Sequence, residues 1–215
     1  MSLIAIIDYG SGNLRSVEKA VELAAGDRPV CVTARPEDVL TADHVILPGV
    51  GAFADCKQGL DSLPGMVDAL EQRVISDGRA FLGICVGMQL LAREGREHGR
   101  TDGLGWIDGT VVPITPADRA LNVPHMGWNE INVLDKAHPV LGALPAGAHC
   151  YFANSYHMQV NDTDLGRGQK LAVTDYGGEI TVVVGRDNIL GTQFHPEKSQ
   201  AVGAALLKAF VEWRP

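Results

Sequence analysis

The chain has 215 residues, 46% of them hydrophobic and 20% charged, and its formal net charge of −8 at pH 7 argues against a nucleic-acid or membrane surface. Its four cysteines are scattered without a CxxC pair, which disfavours both a disulfide framework and a zinc site, so we expect no metal. Because no run approaches the ~20 apolar residues of a membrane span and no secretion signal opens the chain, we predict one cytoplasmic domain over residues 1–215.

Strand and helix signals alternate through the first part of the chain. Helical spacing runs from Leu14 until Gly26, and again from Met66 until Gly78. Short apolar runs predict strands at residues 3–7, 30–32, 44–47 and 80–84. This alternation predicts an α/β fold with a parallel sheet, helices on both faces and functional sites at the carboxyl ends of the strands.

A glycine-rich turn, PGVGAF at residues 48–53, follows the strand at 44–47. At the carboxyl end of a strand, such a turn can present backbone N–H groups to an anion. A plain tight turn is the alternative, since a glycine-rich turn alone is a weak signal. The turn is not a phosphate-binding loop, because the chain contains no GxxxxGK[ST] pattern.

Cys85 follows the apolar run at 80–84, with Gly83 and Gly87 two positions away on either side. This spacing is the thiol version of a nucleophile elbow, a sharp strand-to-helix turn that projects a nucleophile above the sheet edge. The start of the following helix would favour the thiolate, and the N–H of Val86 would complete an oxyanion hole with the glycine-rich turn. A single cysteine more often packs in a core, so Cys85 needs support from the rest of the chain.

From about residue 110 the pattern changes to short β-rich runs. Gly177-Gly178 is a two-residue hairpin signal, and a turn at 186–188 leads into the last strand. Strands are predicted at residues 111–112, 130–134, 148–152, 171–176, 179–185 and 189–194. We therefore expect antiparallel strands to extend the sheet, and the apolar face of a final helix at 199–213 to pack against it.

The sequence FHPEKS at residues 194–199 follows the last predicted strand. In an extended segment, residues two apart point to the same side, so His195 and Glu197 share a face while Pro196 fixes the backbone between them. A carboxylate that holds one imidazole nitrogen leaves the other free to take a thiol proton. Cys85, His195 and Glu197 therefore predict a catalytic triad, although most single histidines at strand ends are structural.

The glycine-rich turn, the Gly-x-Cys-x-Gly elbow and the His-Pro-Glu run together resemble the class I (triad) glutamine amidotransferases. A narrower resemblance, to the glutaminase subunits of imidazole glycerol phosphate synthases, extends along the whole chain. It rests on IIDYGSGNL at 6–14, GICVGMQ at 83–89, PHMGWN at 124–129, YF at 151–152 with SY at 155–156, and HPEKS at 195–199. The resemblance implies the class I glutamine amidotransferase fold, which is flavodoxin-like.

The resemblance also implies the chemistry. L-Glutamine would be hydrolysed through a Cys85 thioester, with His195 as acid and base and Glu197 orienting it. The oxyanion hole would consist of backbone amides of Val86, Gly51 and Val50. The residues expected to bind glutamine are Gly49, Gln89, Glu97, Ser155 and Tyr156. Glu97 is equally open to interpretation as a solvated charge at a helix end.

A partner follows from the same resemblance. The ammonia would pass to a (β/α)8-barrel cyclase subunit in a heterodimer, which makes imidazole glycerol phosphate and aminoimidazole-carboxamide ribonucleotide in histidine biosynthesis. No cofactor is implied. The isolated chain should be nearly inactive, because the family completes its oxyanion hole only when the partner site is occupied. The expected interface residues are Asn13, Met126, Trp128 and Lys198, with a core position as the alternative for Trp128.

Three other functions remain open at this point. Another synthase, for pyridoxal phosphate, anthranilate or aminodeoxychorismate, could receive the ammonia, although the runs at 6–14 and 124–129 speak against it. A non-catalytic partner would keep the fold without the chemistry, which the intact triad disfavours. A γ-glutamyl peptidase would use the same triad on a peptide.

Overall fold

The structure of the protein is a computed structural model that describes residues 3–161 and 169–215. Within these residues the strands are β1 (Ile4–Ile7), β2 (Val30–Thr33), β3 (His44–Gly49), β4 (Ala80–Cys85), β5 (Glu94–Gly95), β6 (Thr101–Asp102), β7 (Gly109–Pro113), β8 (His125–Glu130), β9 (Asn132–Val133), β10 (His149–Asn154), β11 (Tyr156–Val160), β12 (Lys170–Asp175), β13 (Glu179–Arg186) and β14 (Ile189–Thr192). The α-helices are α1 (Leu14–Ala25), α2 (Pro36–Thr41), α3 (Phe53–Asp61), α4 (Met66–Leu70), α5 (Val86–Gln89) and α6 (Gln200–Glu212). A π-helical turn at Glu71–Ser76 continues α4, and 3₁₀ turns lie at Leu141–Ala143 and Pro196–Lys198.

One sheet of the described chain has the strand order β2-β1-β3-β4-β14-β13-β12-β9. The strands from β2 to β14 in this order are parallel, and β1, β3 and β4 are buried along their whole length, as expected of apolar strands covered on both faces. Gly49 pairs with Cys85, and Thr192 pairs with Ile84. The carboxyl ends of β3, β4 and β14 therefore meet at one edge, where the glycine-rich turn, the elbow and the HPE run emerge side by side.

The other half of this sheet is antiparallel. β13 pairs antiparallel with β14 and β12, and β12 pairs antiparallel with β9. Two smaller sheets have the orders β10-β8 and β11-β7-β5-β6. The predicted parallel α/β sheet with an antiparallel extension is thus confirmed. No helix in residues 3–161 or 169–215 is long and apolar enough to cross a membrane.

The structure differs from the sequence prediction in local detail. The loop between β12 and β13 has three residues, 176–178, and not two, since the last pair of the two strands is Asp175 with Glu179. The N–H of Gly178 donates to Asp175 Oδ1 at 3.0 Å within this loop. The helix predicted from Met66 divides into α4 and the π-helical turn. α5, behind the elbow, has only four residues, so its dipole at Cys85 is that of a single turn.

Candidate active site

Cys85 ends β4 in a strained backbone conformation, with φ +55° and ψ −113°. The two flanking glycines are required by close contacts. A Cβ at Gly83 would lie 2.6 Å from the carbonyl oxygen of Gly87, and a Cβ at Gly87 would overlap the carbonyl oxygen of Leu47. The elbow is therefore packed directly onto β3, and the cysteine is held at the edge of the sheet, only 4% exposed.

His195 and Glu197 are joined by a hydrogen bond of 2.8 Å between Nδ1 and Oε1, and their side chains are 5% and 1% exposed. The expectation that an extended segment places them on one face is wrong. Pro196–Lys198 is a 3₁₀ turn, which follows the proline at its first position and curls the carboxylate back onto the ring. The two side chains meet as predicted, by a different backbone route.

The imidazole of His195 also hydrogen-bonds the Cys85 side chain. Burial lowers the pKa of His195, but the hydrogen bonds to Cys85 and to Glu197 outweigh it and raise the pKa to about 10. The ring is therefore an imidazolium between two acceptors at neutral pH. A buried carboxylate, an imidazolium and a sulfur in a row can support nucleophilic catalysis.

The backbone of His195 is fastened to β10. Its N–H donates to the carbonyl oxygen of Tyr151 at 3.0 Å. The hydroxyl of Ser199 donates to the carbonyl of His195 at 2.7 Å and accepts from the N–H of Tyr151 at 3.0 Å. These three bonds fix the position of the ring relative to the strand that pairs with β8.

The glycine-rich turn lies beside the elbow. The backbone of Val50 in this turn is held by Ser11. The Oγ of Ser11 donates to the Val50 carbonyl at 2.6 Å and accepts from the Val50 N–H at 3.3 Å. The thiol of Cys56 donates to the same carbonyl at 3.3 Å. Gly51 has φ +93°, a conformation that glycine adopts without strain. Of the three predicted oxyanion donors, the N–H of Val50 is thus engaged by Ser11.

Gly49 lies beneath the turn, against the elbow. A Cβ at this position would lie 2.7 Å from the Gly87 nitrogen, 2.7 Å from Tyr9 Oη and 3.0 Å from Val86 Cβ. The hydroxyl of Tyr9 donates to the carbonyl of Pro48 at 2.7 Å. The structure thus places Gly49 as a close contact between turn and elbow, outside the set of residues that line the cavity.

A cavity of about 330 Å³ opens at this edge of the sheet, within the size range of small-molecule sites. Most of the predicted site residues line it, together with three that sequence reasoning did not select. The lining residues are Val50, Gly51, Cys85, Val86, Gln89, Glu97, Pro124, Ala153, Asn154, Ser155, Tyr156, His195 and Lys198. In the described part of the chain, no group of three or more His, Cys, Asp or Glu side chains could hold a metal ion.

Glu97 has a specific partner. Its Oε2 accepts a hydrogen bond of 2.7 Å from the N–H of Phe53, the first residue of α3, and its backbone carbonyl accepts from the hydroxyl of Tyr156 at 3.3 Å. A negative charge at a helix start is favourable. Glu97 is therefore a half-buried residue that joins the end of the glycine-rich turn to β11, and not a solvated charge.

Gln193 is a site residue that sequence reasoning missed. It follows β14 and is fully buried, with its Nε2 3.7 Å from Cys85 Sγ and its Oε1 3.0 Å from Gln89 Nε2. Gln89 Nε2 also donates to the carbonyl of Tyr156 at 3.1 Å. The available signal was a glutamine inside an apolar strand pattern, which predicts a polar partner.

Three of the four predicted interface residues lie near one another at the rim of the cavity. Trp128 is 47% exposed and Met126 is 65% exposed, so the alternative core position for Trp128 is wrong. The Trp128 ring lies 6.1 Å from the Tyr151 ring, and Lys198 Nζ lies 5.7 Å above the Tyr151 ring centre. Asn13 precedes α1, where its carbonyl accepts from the N–H groups of Ser16 and Val17.

Residues 5–213 match the family described as "Glutamine amidotransferase class-I". Relatives in Rhodospirillum rubrum and Zymomonas mobilis are both named "Imidazole glycerol phosphate synthase subunit HisH". The first is 53% identical over 99% of both chains, and the second is 53% identical over 100% of this chain and 97% of its own. A solved structure described as "Crystal structure of glutamine amidotransferase" has a TM-score of 0.71 at 19% identity and 97% coverage of both chains, a likeness of fold.

Proposed function

The chain belongs to the class-I glutamine amidotransferase family, and from this premise we propose that it is an enzyme hydrolysing L-glutamine to glutamate and ammonia for imidazole glycerol phosphate synthesis, in histidine biosynthesis. The observation that carries the proposal is the row of contacts from Glu197 through His195 to Cys85 at the cavity wall. Relatives of 53% identity over nearly the whole chain support the acceptor pathway.

In the first half-reaction, the Cys85 thiolate attacks the side-chain amide carbon of glutamine. His195 carries the proton, because burial lowers its pKa but the interactions with Cys85 and Glu197 together outweigh burial and raise the pKa to about 10. The oxyanion of the tetrahedral intermediate is stabilised by backbone N–H groups of Gly51 and Val86, both at the cavity. His195 then protonates the departing nitrogen, and ammonia leaves behind a thioester.

In the second half-reaction, neutral His195 takes a proton from a water molecule that attacks the thioester carbon. Collapse of this intermediate returns the thiolate and releases glutamate, whose new carboxyl group loses its proton to solvent. Because Glu197 holds Nδ1 at 2.8 Å, the other ring nitrogen faces the sulfur and the water in turn.

Residues across the cavity from the sulfur would bind the amino-acid end of the substrate. Both N–H groups of the Gln89 amide donate to protein acceptors, so the group that it offers a ligand is its carbonyl oxygen. Glu97 lines the cavity and carries a carboxylate, which is suited to the α-ammonium group. Ser155 and Tyr156 complete this side, while Gly49 keeps the turn close to the elbow.

The ammonia would pass to a (β/α)8-barrel cyclase subunit that docks on the exposed side chains of Met126 and Trp128. Lys198 supports this route, because it lines the cavity and also stands over Tyr151, beside Trp128. The rim of the cavity and the exposed aromatic surface are therefore continuous. The four cysteines are free thiols, which suits the proposed location in the reducing cytoplasm.

The test is glutamate release from L-glutamine by the chain alone, and then with the cyclase subunit and its ribonucleotide ligand added. We expect a strong rise on addition, and loss of the activity in Cys85→Ala. Cys31→Ala is the matched control, since Cys31 lies on β2 away from the cavity. Glutamine hydrolysis that persists in Cys85→Ala would overturn the mechanism, and the absence of any rise would overturn the partner.

A further inference from the structure

A chain of amide groups connects the cavity to the sulfur of Cys85. It begins at the carbonyl oxygen of Tyr156, which can only accept hydrogen bonds. The Gln89 amide must therefore turn its nitrogen toward Tyr156, at 3.1 Å. The same nitrogen lies 3.0 Å from the side chain of Gln193, which must accept with its oxygen. The N–H groups of Gln193 are thereby left to face Cys85 Sγ, at 3.7 Å.

The direction of these amide hydrogen bonds determines whether a donor or an acceptor faces the sulfur. A thiol can accept or donate weakly, whereas a thiolate only accepts, and it is the stronger acceptor. A donor that is fixed toward the sulfur therefore stabilises the thiolate relative to the thiol. Gln193 is fixed in this way, since it is 0% exposed and its backbone N–H donates to the carbonyl of Val182 at 2.8 Å.

We propose that Gln193 is a further catalytic residue, a neutral donor that holds the Cys85 thiolate while its carbonyl anchors Gln89. This inference rests on the proposed role of Cys85 as the nucleophile and assigns a residue that the triad does not include. Gln193 adds no charge and exchanges no proton. It therefore acts in every step in which the sulfur is negatively charged, before attack and again when glutamate leaves.

Other titratable groups also face the sulfur. His195 follows β14 and hydrogen-bonds Cys85, with Glu197 behind it. Tyr9 follows β1 and Cys56 lies on α3, and burial raises the pKa of both, so they are neutral near pH 7. The charged groups that line the same cavity are Glu97 and Lys198. None of these is altered by substitution at Gln193, so a change in the pH behaviour of the sulfur reports the lost amide donor.

The experiment compares Gln193→Met, which has similar volume but no donor, with Gln89→Met and with the exposed control Gln159→Met. Iodoacetamide labelling of Cys85 is followed by peptide mapping from pH 5 to 10 in the folded chain. Cys31 in the same samples serves as the internal reference. Glutamine kcat and KM are then measured for each variant with the activating cyclase subunit.

For Gln193→Met we expect the pH midpoint of Cys85 labelling to rise by about one unit or more, and kcat to fall about tenfold to a hundredfold, with little change in KM. Gln89→Met should raise KM and raise the midpoint by less than Gln193→Met does, because Gln193 keeps its own N–H groups but loses the hydrogen bond that orients its amide. Gln159→Met and the labelling of Cys31 should match the unmodified chain.

An unchanged Cys85 midpoint in Gln193→Met would overturn the inference, even if kcat falls. If that variant unfolds, as judged by circular dichroism, Gln193→Glu decides. Its carboxylate still accepts from Gln89 but cannot donate to sulfur when ionised, so the midpoint should rise further than with methionine, and an unchanged midpoint again refutes the inference. Failure of the proposed function is a separate result, namely glutamine hydrolysis by Cys85→Ala.

Discussion

The two walls of the cavity are built in different ways. The triad wall consists of Cys85 and His195, with Glu197 behind them, and all three side chains are buried. Cys85 ends β4, and the other two follow the neighbouring parallel strand β14. The turn wall consists of Val50 and Gly51, of which Val50 is 41% exposed and is held by the side chains of Ser11 and Cys56. The groups that must keep fixed distances are thus set by the sheet, whereas the donors that meet the transient charge lie on an adjustable turn.

The largest effect should come from removing the nucleophile in the triad wall. Cys85→Ala is expected to lower glutamine turnover by about a thousandfold or more, since no neighbouring group replaces the thiolate. The thermal unfolding temperature should change little, because the substitution leaves the close contacts at Gly83 and Gly87 in place. The measurement is single-turnover glutamate release with the cyclase present, and activity within tenfold of the unmodified chain would contradict the triad assignment.

The second effect comes from the orienting carboxylate. Glu197→Gln keeps the shape of the side chain but weakens its hold on the imidazolium, so kcat should fall by about a hundredfold or more, with KM nearly unchanged. Glu179→Gln, at the exposed first residue of β13, is the matched control. A large increase in KM alone would instead indicate a role in substrate binding.

The contacts of His195 with Cys85 and Glu197 together give the stability of the chain a pH dependence. The folded chain holds a proton on His195 up to about pH 10, above the ordinary pKa of 6.5. The stabilisation is therefore fully present below about pH 6.5 and disappears as the pH rises through about 10. In Glu197→Gln the pKa of His195 should be lower, so this stabilisation should be lost at a lower pH than in the unmodified chain. The measurement is the free energy of unfolding in urea between pH 6 and 10. If the unfolding free energy changed with pH equally in the two proteins, the proposed role of Glu197 in holding the His195 proton would be contradicted.

A smaller effect is expected when the turn wall is strained. Gly51→Ala places a side chain at φ +93°, in space where a Cβ meets no neighbour, so the cost is in the backbone, about 1 kcal/mol. The turn should shift and kcat should fall about tenfold, while Cys85 labelling stays normal. Gly26→Ala, at φ +62° far from the cavity, is the control with similar strain and full activity.

The smallest expected effect is an increase in glutamine turnover, and it comes from substituting Ser11. Its hydroxyl occupies the N–H of Val50, so Ser11→Ala should release that donor toward the cavity and raise glutamine turnover by the chain alone about twofold to threefold. The stability should fall by about 1 kcal/mol, because the hydroxyl's hydrogen bonds to the Val50 backbone and to Cys56 Sγ are lost. Ser11→Thr, which keeps the hydroxyl, should behave as the unmodified chain, and reduced turnover in Ser11→Ala would show that the bond supports the active turn.

The sequence predicted the parts of the fold that depend on local pattern. The apolar runs of β1, β3 and β4 predicted buried parallel strands, and the predicted family and fold class are confirmed. The names of the relatives that are 53% identical support the proposed function. α2 and α3 were missed because they are short and because the residues before them, Arg35 and Ala52, are not among the types that cap a helix start. β8 was missed because its polar residues carry no strong strand signal.

The site was predictable only where residues form a recognisable run. Cys85, His195 and Glu197 stand in such runs, although the 3₁₀ turn that joins the last two was not foreseen. Gln193 and Ser11 were not predicted, since each acts through a partner at least 39 positions away, and such pairings depend on the sheet register. The assigned roles of all the site residues remain predictions that the substitutions above test.

The attachment of His195 to β10 has a consequence for how such a chain can change over generations. Tyr151 presents its ring to Trp128 and Lys198 on the proposed docking surface, while its backbone carries the hydrogen bonds that hold His195 and Ser199. A drift in the path of β10 that suits a new partner therefore also displaces the general base. Substitutions that adapt the docking surface to another partner are therefore acceptable only if they leave the position of His195 unchanged.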